Sequence, residues 1–283
     1  MAYHYYDILK IKLLIIGGNR NFGYELIKKI LKNKNIDLFV VNRNGKNLKI
    51  LKGYKKIRHY NFDRSNQKKL IWLVSKFKID LVIDNIAYDL SDIKRFINFL
   101  SQNRIIYIFS STILTTFLYK IKFENVGIKK LVKKKYIIEK YLMENINNFI
   151  ILRIHNILSP HDNSNRTSTI IFFNKNSFAN KKIKPTDKIQ FIFINDLVKI
   201  IYNLISKNYL NILNKSNKAY NITNNYISFK NLSSLNMRSK YKQNVIYDDS
   251  LFKNLIVKND MIDRRLKINK NFFDKFELIR KSH

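Results

Sequence analysis

The sequence predicts an α/β fold: a doubly wound parallel sheet with a smaller C-terminal lobe. Short apolar runs alternate with helical segments over residues 1–155, and these runs are continuously apolar instead of alternating with polar residues. That pattern is typical of a parallel sheet whose two faces are both covered by helices. Three of the six glycines also fall in one turn, from Gly17 to Gly23, between the first apolar run and the first helix.

Six strands and four helices are predicted in the N-terminal part. The first helix shows the clearest period, because Phe22, Leu26 and Ile30 recur on one of its sides. The expected strands are 10–17, 36–41, 57–61, 79–84, 104–109 and 148–154, and the expected helices are 22–31, 67–78, 91–102 and 131–145. After residue 154 the pattern loosens, and the predicted elements are a helix at 169–178, a strand at 190–194, a helix at 196–206 and a strand at 219–223.

The net charge is high. Lys and Arg total 54 against 20 Asp and Glu, which gives a formal charge of +34. Such a charge is typical of proteins that bind nucleic acid or anionic membrane surfaces. The chain is also rich in residues with A/T-rich codons and poor in Gly and Pro. A strong A/T bias of the genome would give the same composition, and the scatter of lysines along the whole chain favours that explanation.

Neither disulfides nor membrane spans are expected. The chain contains no cysteine, which excludes disulfides and thiolate metal sites. Its first ten residues lack the apolar region of a secretory signal, and no apolar run approaches the roughly 18 residues of a membrane span. The five histidines show no metal-ligand spacing, so no metal site is predicted. We therefore expect a cytoplasmic protein.

The glycine turn predicts a dinucleotide site, although an ordinary strand-to-helix turn could show the same spacing. Gly17 permits the tight turn, and Gly23 permits close packing of the helix on the sheet. The start of that helix offers unpaired N–H groups and a positive dipole end to a pyrophosphate. Arg20 stands where many dinucleotide-binding folds have a middle glycine. The turn residues expected at the cofactor are Gly17, Gly18, Arg20, Phe22 and Gly23.

The end of the second strand favours a 2′-phosphorylated cofactor. An acidic residue about 20 residues after the turn commonly binds the ribose hydroxyl of NAD. Asn42 and Arg43 occupy that place here, and no carboxylate is present. An arginine suits a 2′-phosphate, and Arg20 could assist it. NADP is therefore the favoured cofactor, with NAD left open.

Eight segments carry motifs in a fixed order, namely 17–23 (the glycine turn), 61–64, 80–88, 107–112, 136–140 (Tyr-x3-Lys), 152–166, 190–197 and 219–222. In this order they resemble the landmarks of the short-chain dehydrogenase/reductase superfamily, in the extended and partly atypical branch of NAD-dependent epimerases and dehydratases. The chain departs from the family pattern at Ile154 and Ser159, where Pro and Gly are usual. The resemblance implies a Rossmann-type core over residues 1–155. It also implies a substrate-binding lobe over 156–283, interleaved with the core in a single compact unit.

The resemblance also implies roles for individual residues. It places Asp63 at the adenine of the cofactor. The other implied cofactor contacts are Asn42, Arg43, Arg64, Ala87 and Ser110, and the implied substrate contacts are Arg153, His161 and Arg166.

Tyr136 and Lys140 are the candidate catalytic pair, because side chains four residues apart share one face of a helix. A lysine ammonium favours the phenolate form of a neighbouring tyrosine. That tyrosine can then exchange a proton with the substrate while hydride moves to or from the nicotinamide. In the family the lysine also binds the nicotinamide ribose, and Thr112 would orient the substrate oxygen.

The sequence is compatible with three functions. The favoured one is an NAD(P)-dependent oxidoreductase, epimerase or dehydratase acting on a small polar substrate, either a carbonyl metabolite or a nucleotide sugar. The alternative is a non-catalytic or RNA-binding relative, since the branch that the glycine turn resembles includes chloroplast stem-loop RNA-binding proteins. A third is a regulator that senses NADP without turnover. The oligomeric state, monomer or homodimer, is also open.

Overall fold

The computed structural model describes residues 10–19, 22–43, 57–119, 126–159, 188–189, 191–206, 212, 214–223 and 227–228. They fall into two compact units that alternate along the chain. The first unit takes its residues from Met1–Ser111, Leu131–Leu152 and Asn195–Ala219, and the second from Thr112–Lys130, Arg153–Ile194 and Tyr220–His283. The chain thus returns to the first unit after residue 155.

The elements follow the predicted order closely. They are β1 (Ile11–Ile16), α1 (Gly23–Ile30), β2 (Ile36–Asn42), β3 (Ile57–Asn61), α2 (Gln67–Phe77), β4 (Leu81–Asp84), α3 (Lys94–Gln102), β5 (Ile106–Thr112), α4 (Val126–Asn145), β6 (Phe149–Ile154), β7 (Ile157–Leu158), β8 (Lys188–Ile189), β9 (Ile192–Phe193), α5 (Ile194–Ile205), β10 (Lys218–Ile222) and β11 (Ile227–Ser228). A 3-10 helix, Ile113–Phe117, follows β5. The helix predicted at 169–178 lies outside the described residues.

A seven-stranded sheet forms the centre of the fold, in the order β10-β6-β5-β4-β1-β2-β3. The pairs β1–β2, β1–β4, β2–β3 and β4–β5 are all parallel. The strand order reverses between β1 and β4, and a doubly wound sheet opens a crevice at the carboxyl ends of its strands at that point. The predicted fold class is confirmed.

Five strands of the sheet, β1, β2, β4, β5 and β6, are buried on both faces, which explains their continuously apolar sequence, whereas the edge strand β3 is partly exposed and carries polar residues. Leu14 and Ile16 of β1 belong to a core cluster with residues of α2, α3 and α4. Leu13 and Ile15, which point to the other face, are also fully buried. None of the helices in the described ranges is both long enough and apolar enough to cross a membrane.

Candidate functional site

The carboxyl ends of four parallel strands meet at one edge of the sheet. Ile16 of β1 lies opposite Val41 of β2 on one side and Asp84 of β4 on the other. Asp84 in turn lies opposite Phe109 of β5. The residues that follow these positions are therefore brought together, namely Gly17, Asn42, Asn85 and Ser110.

The glycine turn has the geometry that its sequence predicts. Gly17 has a φ of 81°, in the left-handed region, and its N–H donates to the carbonyl of Val41 at 2.9 Å. A Cβ on Gly17 would lie 2.6 Å from a methyl carbon of Ile86. A Cβ on Gly23 would lie 2.9 Å from the carbonyl oxygen of Gly17. Both positions therefore require glycine, one for its backbone conformation and one for the close approach of α1.

Two buried amide side chains flank this turn. Asn42 accepts a hydrogen bond from the backbone N–H of Asn19 at 3.3 Å, and Asn85 accepts one from the Ser110 hydroxyl at 2.9 Å. The Nδ2 groups of Asn42 and Asn85 have no hydrogen-bond partner among the described residues. Nδ2 of Asn85 lies 3.0 Å from where a Cβ on Gly23 would stand. Buried donors are nearly always paired in folded proteins, so an acceptor group of a ligand suits this place.

The first turn of α1 lies beside these amides. Phe22, at its N-cap position, is buried, and no side chain there caps the helix by a hydrogen bond. Among the described residues, the N-cap side chain thus leaves the N–H groups of the first turn uncovered, and they carry the positive end of the helix dipole. This arrangement suits a phosphate.

Arg43 and Asp63 lie together beyond the ends of β2 and β3. Their Nη1 and Oδ2 atoms are 3.7 Å apart, and their side chains are 65% and 45% exposed. The carboxylate of Asp63 also accepts hydrogen bonds from the N–H and the hydroxyl of Ser65 at 2.9 and 2.8 Å. The bonds from Ser65, and then the charge of Arg43, lower the pKa of Asp63. The carboxylate of Asp63 is therefore held as an anion beside Arg43.

Arg64 takes a different position from its neighbour Asp63. Its guanidinium is buried and forms an ion pair and hydrogen bond with Asp84, which is fully buried. The Tyr107 hydroxyl donates to the same carboxylate oxygen at 3.1 Å, and burial raises the pKa of Tyr107 well above its usual value. The Nε and Nη1 groups of Arg64 have no partner among the described residues. Arg64 is thus placed in the interior beneath the sheet edge and not on its surface.

The lysine that α4 directs at the sheet is Lys135, which sequence reasoning missed. Its Nζ donates to the carbonyl of Ser110 at 2.8 Å and lies 4.7 Å from the ring centres of Tyr88 and Phe109. The side chain is 6% exposed. Burial lowers the pKa of Lys135 to about 7, although the carboxylate of Asp84 opposes this shift. Near neutral pH this amine can therefore hold or release a proton.

Glu139 lies one helical turn after Lys135 and is also buried. Its carboxylate accepts a hydrogen bond from the hydroxyl of Ser111 at the end of β5. The two ionisable side chains thus anchor α4 to consecutive residues of one strand, Ser110 and Ser111.

Tyr136 and Lys140 are placed differently from the predicted catalytic pair. The face of α4 that is buried consists of Val132, Lys135, Ile138, Glu139 and Leu142. Lys140 lies outside that face, is 61% exposed, and forms an ion pair with Glu144 at 3.7 Å. Tyr136 is half-buried. The structure therefore does not bring Lys140 to the sheet edge, because the helix turns its neighbour Glu139 inward instead.

The remaining predicted site residues are scattered. Thr112 belongs to the second unit, where its hydroxyl oxygen accepts from the N–H of Leu114 at 3.4 Å and caps the 3-10 helix. Ala87 is fully buried in the core, and Arg153 is half-buried in the second unit. The predicted residues Arg20, His161 and Arg166 lie outside the described residues.

The comparisons with known proteins agree on the fold. The sequence matches no protein-family model and no characterised protein. A dTDP-glucose 4,6-dehydratase from Bacillus anthracis, in complex with NAD, matches over 96% of this chain and 92% of its own, with a TM-score of 0.64 and 13% identity. A UDP-glucose 4-epimerase from Thermotoga maritima, with UDP-glucose, matches over 89% and 88%, with a TM-score of 0.55 and 14% identity.

A third similar structure is a wide-type short-chain dehydrogenase/reductase from Veillonella parvula in complex with NADP. It matches over 76% of this chain and 94% of its own, with a TM-score of 0.55 and 16% identity. At these identities the similarity establishes a shared Rossmann-type architecture. These three structures are a dehydratase, an epimerase and a short-chain dehydrogenase/reductase.

Proposed function

We propose that this protein binds a nicotinamide dinucleotide, NADP in preference to NAD, at the carboxyl edge of its sheet. The observation that carries the proposal is the glycine turn with the buried amides of Asn42 and Asn85, whose Nδ2 groups have no hydrogen-bond partner among the described residues. The turn joins β1 to the uncapped start of α1, next to the point where the strand order reverses. This is where dinucleotides bind in doubly wound sheets.

We further propose an oxidoreductase, epimerase or dehydratase reaction on a small polar substrate. A bound nicotinamide would supply or accept the hydride. The similar structures include a dTDP-glucose dehydratase and a UDP-glucose epimerase, which favours a nucleotide sugar over a simple carbonyl metabolite as the substrate class. The chain itself would have to orient the substrate and move a proton.

Two lysines of α4 compete for the proton-handling role. The sequence assigns the role to Tyr136 with Lys140, aided by Thr112. The geometry favours Lys135, because its ammonium is buried at the end of β5 whereas that of Lys140 is in solvent with Glu144. A buried cation at this position would hold a substrate or ribose oxygen and exchange a proton near neutral pH.

The dinucleotide proposal is tested by fluorescence titration of the purified protein with NADPH and NADH. Wild type should bind NADPH more tightly than NADH. The Gly17→Ala variant should bind NADPH at least about tenfold more weakly, because a methyl group meets Ile86 and the backbone is strained at positive φ. Gly127→Ala, on an exposed position of α4, is the matched control and should bind like wild type.

Two outcomes would contradict the proposal. If wild type binds neither NADPH nor NADH, the proposed function is wrong. If Gly17→Ala and Gly127→Ala bind alike while both remain folded by circular dichroism, the turn is not the binding site.

A further inference from the structure

We propose that Asp63 tunes the choice between NADP and NAD by competing with the cofactor's 2′-phosphate for Arg43. The inference deepens the proposed function and rests on it. It assigns to Asp63 a role in discriminating the 2′ position, beyond the adenine contact that the family resemblance implies.

Strand pairing fixes the two side chains beside one another. Asn42 of β2 lies opposite Asn61 of β3, and the N–H of Phe62 donates to the carbonyl of Asn42 at 3.1 Å. Arg43 and Asp63 therefore leave their strands at the same edge. Their charged atoms come within 3.7 Å of each other at the place where the adenosine ribose of a dinucleotide would lie.

Ser65 orients the carboxylate of Asp63 toward Arg43. The Oδ1 atom of Asp63 accepts both the N–H and the hydroxyl of Ser65, whereas Oδ2 is the atom nearest to Arg43. The carboxylate is thus held in place by bonds that do not involve the arginine. It stays ionised at neutral pH, since these same contacts lower its pKa.

The neighbouring arginine does not relieve this competition. Arg64 follows Asp63 directly, but its guanidinium turns into the interior and pairs with Asp84. Within the described part of this edge, the charge of Arg43 is therefore balanced by Asp63 alone. A 2′-phosphate would meet a partly neutralised arginine and a nearby anion, whereas a 2′-hydroxyl could donate a hydrogen bond to the carboxylate. The pair thus accepts both cofactors and moderates the advantage of NADP.

The test compares the binding of NADP⁺ and NAD⁺ by calorimetry in wild type, Asp63→Asn, Arg43→Gln and the double variant. Asparagine keeps an oxygen for Ser65, so the loop geometry is retained. Asp63→Asn should bind NADP⁺ more tightly, by about 1.5- to fivefold, the range of an exposed ion pair, and should not tighten NAD⁺ binding. In a protein that already carries Arg43→Gln, Asp63→Asn should change the dissociation constant of NADP⁺ by less than half as much.

Asp37→Asn is the matched control, because it removes the same charge at the opposite end of β2. It should leave the ratio of the two dissociation constants unchanged. The inference alone is overturned if both cofactors bind to wild type and Asp63→Asn leaves that ratio unchanged, or if Asp37→Asn shifts it equally. Absence of binding of either cofactor to wild type overturns the proposed function together with the inference.

Discussion

The ammonium of Lys135 donates a hydrogen bond to the backbone carbonyl of Ser110 across the interface between α4 and the end of β5. A lysine with a pKa of about 7 in the folded chain and about 10.5 in the unfolded chain couples folding to pH. Between these values the unfolded chain binds more protons. The free energy of unfolding should therefore rise with pH, and the cost of burying the ammonium is largest at or below pH 7.

Lys135→Met removes this coupling. The free energy of unfolding of Lys135→Met should exceed that of wild type by the largest amount near pH 7. This difference should shrink by at most about 1.4 kcal/mol per pH unit toward pH 10. Urea unfolding at pH 7, 8 and 9 measures the difference. Lys140→Met, which removes an exposed lysine of the same helix, should follow the wild-type slope. Parallel curves for wild type and Lys135→Met would contradict the buried, titrating lysine.

The same two variants separate the competing assignments at the proposed site. If Lys135 contacts the ribose or the substrate oxygen, Lys135→Met should weaken NADPH binding about tenfold, the loss expected when a hydrogen bond from a charged group is removed. Lys140→Met and Tyr136→Phe should bind like wild type. A loss confined to Lys140→Met would restore the assignment made from the Tyr-x3-Lys spacing.

The two interactions of the buried Asp84 carboxylate, with Arg64 and with Tyr107, should contribute differently to the free energy of unfolding. Asp84→Asn leaves the guanidinium of Arg64 buried without its counter-charge, which should cost about 3–5 kcal/mol of unfolding free energy. Tyr107→Phe removes a neutral donor to the same carboxylate but leaves the ion pair in place, and it should cost less, about 1.5–3 kcal/mol. Urea unfolding at pH 7 measures both. Equal losses would mean that the ion pair is not the dominant interaction.

The strand and helix order of the N-terminal part could be predicted from the sequence, because burial on both faces of a parallel sheet leaves a pattern within each strand. A strand buried on both faces must be apolar throughout, and each apolar run of the N-terminal part became a strand of the sheet. The glycine turn could also be predicted from the sequence, since the positive φ at Gly17 and the close approach at Gly23 both exclude a side chain.

The orientation of α4 could not be predicted from the Tyr-x3-Lys spacing, because the spacing gives a shared face of the helix but not the direction in which that face points. Direction is set by the apolar residues Val132, Ile138 and Leu142, which pack inward. Lys135 interrupts this apolar stripe, and a lysine within such a stripe is the sequence pattern that indicates a buried amine. The interior position of Arg64 could not be predicted for a similar reason, since its partner Asp84 lies on a strand that is distant in sequence.

The high charge leads to a prediction about nucleic acid. If codon bias explains the +34 charge, binding to RNA should be non-specific and should depend on phosphate contacts alone. A gel shift at about 50 mM salt should then disappear by about 200 mM. Retention of a defined RNA complex at the higher salt would favour the RNA-binding alternative.

Acid should destabilise the second unit through His155. Burial lowers the pKa of this histidine to about 3, and its Nδ1 accepts the N–H of Asn156 at 2.8 Å, which requires the neutral ring. The unfolded chain takes up a proton at about pH 6.5, so between pH 6.5 and 3 it binds more protons than the folded chain. Stability is therefore lost as the pH falls through this range, by at most about 1.4 kcal/mol per unit. His155→Gln should flatten this part of the profile, and His59→Gln, where partial burial lowers the pKa of the histidine to a smaller extent, should flatten it less. Unfolding in urea at pH 7, 6, 5 and 4 compares the three proteins, and an unchanged acid slope in His155→Gln would show that the ring is protonated without loss of the fold.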